Sequence, residues 1–108
     1  MQKSLGKITV STPGIPVRIT SNLSDPVAPT YVHGYALQRL KRNSGDVYIS
    51  LSPTDDRSNL SKILCILSAG QPSFSAGIGI EINGTNISEV YVDSDNPGDG
   101  ITGAVLIS

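Results

Sequence analysis

Residues 35–51 read YALQRLKRNSGDVYISL, two β-like runs joined across Asn43-Ser44-Gly45-Asp46. In the second run Val47, Ile49 and Leu51 alternate with Tyr48, Ser50 and Ser52. A period of two marks a strand with one face buried and the other in water. Asn, Gly and Asp tolerate the positive φ of a tight reversal, so the stretch predicts a strand–turn–strand hairpin. Three cations, Arg39, Lys41 and Arg42, lead into its turn.

The same pattern extends in both directions. Gly6–Val10 alternates and is stopped by Pro13-Gly14. Pro16–Thr20 alternates again with Val17 and Ile19 inward, its proline standing where a strand begins. Residues 21–32 hold two prolines and read as a surface loop, and residues 52–58 are a second loop. Leu60–Leu67 has helical spacing at Leu60, Ile63, Leu64 and Leu67 with Ser58 as a cap, but the run is short and Gly70 and Pro72 follow closely. Ile63–Leu67 is therefore expected as a central strand buried on both faces. A brief strand is expected over 72–75 and another over Ile78, Ile80 and Ile82, ended by an Asn83-Gly84 turn. A single helical turn at 86–88, a strand over Glu89–Val92, an acidic turn from Asp93 to Gly100 and a last strand over Ile101–Ile107 complete the chain. Eight or nine short strands at even spacing predict an all-β fold, an antiparallel sandwich or jelly roll.

Composition agrees. With 108 residues, no Trp, one Phe, eleven Gly and seven Pro, the chain suits one domain with an aliphatic core and many turns. Net charge is only −1, which excludes an overall polyanion-binding balance. The charge is unevenly placed. Residues 1–44 hold six bases and one acid, a balance of +5, and residues 45–108 hold two bases and eight acids, a balance of −6. Either the halves interleave and the field averages out, or complementary patches meet between subunits or on a partner. One cysteine excludes an internal disulfide and a Cys-rich zinc site. No signal-like apolar segment follows Met1, so synthesis in a reducing cytoplasm is expected, with no membrane association.

Few residues suggest chemistry. Asp93, Asp95 and Asp99 in the acidic turn are the only metal candidates, since clustered carboxylates suit Ca²⁺. Pro97-Gly98 interrupts the spacing and Ala104 stands where a bidentate Glu would be needed, which favours a solvated turn. His33 is the sole histidine, no G-x-S-x-G elbow exists, and Cys65 sits in an apolar run, so neither catalytic nor cofactor-binding residues are expected. Arg39, Lys41 and Arg42 beside Tyr35 and Tyr48 offer cations and rings for single-stranded bases, but the slight negative charge argues against nucleic acid. A strand edge kept soluble by positive charge, or a contact to an acidic surface of another subunit, accounts for the same residues.

The segments GKITVSTPGIPVRIT (6–20), YALQRLKRNSGDVYIS (35–50), ILSAGQPSFSAG (66–77) and NISEVYVDSDNPGDGITGAVLI (86–107) give the chain a further character. In their order it resembles the small β-sandwich virion structural proteins of tailed bacteriophages. That resemblance spans about Gly6 to Ile107 and rests on alternation and turn chemistry. It implies a non-enzymatic decoration or cement protein, a homotrimer on the capsid surface that binds the major capsid protein and stabilises the head. A head–tail joining or tail-associated subunit and a carbohydrate-binding surface module are the alternatives. The charged loop PTDDRSNLSK (53–62) departs from the short glycine turn of such proteins. Expected contact residues are Lys3 and Leu5 in a flexible N-terminal segment 1–5, Pro26 and Tyr31 in or beside the 21–32 loop, and the basic tip Arg39, Lys41 and Arg42.

Overall fold

The computed structural model describes residues 2–25, 31–76 and 85–107. Among the described residues nine strands follow one another: β1 (Gln2–Thr9), β2 (Val17–Arg18), β3 (Tyr31–Arg39), β4 (Val47–Ser50), β5 (Ile63–Leu67), β6 (Ser73–Ala76), β7 (Thr85–Asn86), β8 (Tyr91–Ser94) and β9 (Gly100–Ile107). A single 3₁₀ turn, Ile87–Glu89, is capped by the Asn86 side chain, which accepts the Ser88 N–H. All strand pairs are antiparallel.

One sheet has the order β1-β9-β3-β6, and the other β2-β8-β4-β5; the two-residue β7 continues the β6 edge alongside β3. Leaving β7 aside, two four-stranded sheets form a sandwich in which successive strands change sheet at almost every connection. Among the described strands, only β4 and β5 are sequential neighbours joined within one sheet. That order is the double Greek key of a jelly roll.

Alternation explains which residues face inward. Val47 and Ile49 of β4, Val92 of β8 and Ile101 and Val105 of β9 are fully buried. Leu5, Ile8, Val10, Ile19, Leu37, Leu67, Ile87 and Val90 join them in one aliphatic core. Burying each such side chain contributes roughly 1.5–3 kcal/mol. The aromatic component is one tilted pair, Tyr35 against Phe74, with ring centroids 6.1 Å apart.

Four expectations are corrected. The 35–51 stretch is no hairpin: β3 pairs with β9, β6 and β7, whereas β4 pairs with β5 and β8 in the other sheet. Alternation and turn residues serve an arch between sheets as well as a hairpin within one. Strand β5 has the expected limits but lies at a sheet edge, with Leu64 exposed. The first strand begins at Gln2, so residues 2–5 are paired with β9 where a flexible segment was expected. Leu5 accordingly is a core residue, 1% exposed, where a surface contact was expected. A bulge between Ser4 and Gly6 turns it inward, and Gly6 supplies the required φ of +72°. The expected Ile78–Ile82 strand, the Asn83-Gly84 turn and Pro26 lie outside the described residues.

Candidate functional site

The connection from β3 to β4 crosses between the sheets and is tied down by residues far along the chain. Asn43 Nδ2 donates to the Gly100 carbonyl at 2.8 Å, and its Oδ1 accepts the Gly100 N–H at 3.0 Å. The Asp99 carboxylate, almost fully buried, accepts the backbone N–H groups of Ser44 at 3.0 Å and Gly45 at 2.9 Å. Arg39 turns under the arch and donates to the Gly45 carbonyl at 2.9 Å and the Asn43 carbonyl at 3.4 Å. A Cβ at Gly45 would meet the end of the Asn96 side chain, which would have to swing aside.

These bonds separate the three cations of the expected basic tip. Arg39 is spent on structure, while Lys41 and Arg42 remain exposed at the crest. Beside them Lys7 projects from β1, its neighbour Ile8 facing the core. Lys7, Lys41 and Arg42 surround a cleft of about 410 Å³ whose remaining wall includes Leu40, Pro97 and Asp99. Among the described residues, the ion pairs all belong to Arg57, so none of the three cleft cations is paired with a carboxylate.

A second polar assembly lies on the outer face of the β2-β8-β4-β5 sheet. The 51–62 loop is closed by the Leu51 N–H on the Lys62 carbonyl at 2.9 Å. Within it Asp56 accepts the Lys62 N–H at 2.6 Å and the Ser61 hydroxyl at 3.0 Å, while its own carbonyl accepts the N–H of Leu60, held at φ +56°. From this loop Arg57 reaches across β8. It pairs with Asp55 at 2.9 Å, approaches Asp93 and Asp95 at 3.6 Å each, and donates to the Ser94 carbonyl at 2.9 Å. The Asp93 side chain is only 3% exposed and its Oδ1 accepts the Gly14 N–H at 2.9 Å. Its Oδ2 has no hydrogen-bond donor, so the Arg57 charge is what offsets its burial. Hydrogen bonds from Arg57 hold the Asp55 carboxyl at a pKa of about 2. Burial, then the bond to Asp95 at 2.9 Å and the charges of Asp95 and Asp46, push the Tyr48 phenol up to about 12.

The metal candidates are thus split. Asp99 belongs to the arch, and Asp93 and Asp95 share a guanidinium in the place a cation would occupy. Among the described residues no group of three His, Cys, Asp or Glu is arranged to hold a metal ion. Burial pushes the Cys65 thiol up to about 11, which suppresses the thiolate. His33 and Tyr31 lie within β3. Of the rings available to stack a sugar or base, Tyr35 is 5% exposed and Tyr91 9%, the latter beneath the Arg18 guanidinium at 5.1 Å. Lys3 is exposed on β1.

Sequence reasoning missed Lys7, Arg57 and Asp55. The unusual charge density of PTDDRSNLSK was the available signal for the last two. Nothing in the sequence links Lys7 to Lys41 and Arg42, which only the sheet order brings together. No protein-family model matches the chain, nor does any curated protein or solved structure.

Proposed function

We propose that the chain is a non-enzymatic virion structural subunit, a capsid decoration or cement protein that binds the major capsid protein and stabilises the head. A jelly roll hosts many functions, so the fold by itself does not choose among them. The observation that supports the reading is the pinned arch. It presents Lys41 and Arg42 on a backbone held by Asp99, Asn43 and Arg39, so little conformational entropy is lost when the tip docks. Many such modest contacts on one shell multiply into strong attachment. Burial of Tyr35 and Tyr91 removes two of the four tyrosines that a sugar-binding module would need as stacking platforms.

The test is sedimentation of isolated heads, from the phage encoding the chain, after mixing with purified protein. Saturable co-sedimentation at a fixed number of copies per head supports the proposal. A chain left in the supernatant at every ratio contradicts it.

A further inference from the structure

Two charged surfaces lie toward the same end of the sandwich but on opposite sheets. The cleft on the β1-β9-β3-β6 side carries Lys7, Lys41 and Arg42. The outer face of the other sheet carries Asp55, Asp93 and Asp95 around Arg57, with Asp46 close enough to raise the Tyr48 phenol electrostatically. Three cations and the nearly buried Asp99 line the cleft, against a patch of four acids and one arginine, so the two surfaces are +2 and −3. Asp55 and Asp95 are 43% and 45% exposed, so their carboxylates, although bonded to Arg57 and Tyr48, still present a face to a neighbour.

We propose that the basic cleft of one copy seats the acidic outer-face patch of a second copy, head to tail. The cleft suits an acidic protein surface better than nucleic acid. Its walls hold Leu40 and Pro97 but no aromatic ring, and three cations are few for a polyanion. The two surfaces differ, so the contact is heterologous, and successive copies either close into a ring or continue as an open chain. Exposed charge pairs contribute little individually, so the association is weak and sensitive to salt. This contact does not depend on the capsid reading and competes with it for Lys41 and Arg42.

Sedimentation velocity on the purified chain tests it. At about 10 mM salt, where screening extends to about 30 Å, the mass rises with concentration above the 11.3 kDa monomer; at about 1 M salt, where it is about 3 Å, the monomer returns. Lys41→Glu/Arg42→Glu abolishes the low-salt association while leaving the melting temperature unchanged. In a mixture of ¹⁵N-labelled and unlabelled protein, zero-length carbodiimide coupling joins Lys7 or Lys41 of one isotope to Asp55 or Asp95 of the other. A monomer at low salt, association indifferent to the charge reversal, or cross-links confined to other residues would overturn the contact. Self-association by a chain that ignores phage heads upholds it and contradicts only the capsid proposal.

Discussion

The Asp99 carboxylate accepts the Gly45 N–H at 2.9 Å although 54 positions separate the two residues. The same carboxylate holds the Ser44 N–H, so the β8–β9 turn and the β3–β4 arch are one mechanical unit. Asp99→Ala would leave two part-buried backbone donors without their acceptor, each costing towards the lower end of about 1–3 kcal/mol. A loss of about 2–4 kcal/mol in urea unfolding is expected, with Asp99→Asn, which keeps one acceptor, losing clearly less. Equal losses in the two variants would show that the carboxylate acts other than as an acceptor for the arch.

Arg57 offsets the buried Asp93 carboxylate. Removing one partner of a buried pair costs about 3–5 kcal/mol, and the partial exposure of Arg57 reduces this to about 2–3 kcal/mol for Arg57→Ala. Adding Asp93→Asn removes the uncompensated charge, so the double variant is expected to be more stable than Arg57→Ala alone. A double-mutant cycle with additive losses would refute the pairing.

Acid behaviour follows from Asp55. Its folded-state pKa of about 2 lies below the ordinary 3.8, so the stability it contributes is complete above about pH 4 and is lost as pH falls towards 2. Asp55→Asn is expected to flatten the melting-temperature profile between pH 4 and 2 while leaving its neutral branch parallel to wild type. An unchanged acid limb would mean that the Arg57 bond is not formed in solution.

Cys65 gives a complementary test in the alkaline direction. Its thiol titrates near 11 where 9.0 is ordinary, so at pH 8 the folded protein carries about a hundredfold less thiolate than an unfolded chain. Alkylation by iodoacetamide is expected to be slower by about that factor in native buffer than in urea. Because the folded pKa is raised, Cys65 contributes stability that is present below pH 9 and lost as pH rises through 11. Equal native and denatured rates would place the thiol in water.

Much of the fold was legible because burial repeats every second residue. Val47, Ile49 and Ile19 announced their inward faces directly, with Val17 partly buried beside them, whereas Leu51, of the same alternation, is exposed because the strand ends at Ser50. What the pattern does not contain is the choice of partner. Residues 43–46 have the composition of a hairpin turn, and the bonds that make them an arch come from Asp99 and Gly100, more than fifty positions away. Leu5 was hidden for a related reason. Alternation continued from Ile8 and Val10 would point Leu5 outward, and only the bulge at Gly6 turns it inward. The basic tip was visible as a cluster of charge, but its division into one structural arginine and two exposed cations depends on which carbonyls lie beneath the arch.

Cation neutralisation at the crest separates stability from attachment. Lys41 and Arg42 are exposed and make no ion pair among the described residues, so Lys41→Gln/Arg42→Gln is expected to change unfolding free energy by less than about 0.5 kcal/mol. The same variant is expected to bind heads at least tenfold more weakly. Equal affinity in a folded variant would remove the arch from the contact surface.

The most direct measurement is an electron cryomicroscopy reconstruction of heads incubated with the purified chain. The capsid proposal predicts added jelly-roll density at regular lattice positions on the outer surface, with the Lys41–Arg42 arch against the shell. Heads that bind no chain, or carry it only at the tail vertex, would contradict it.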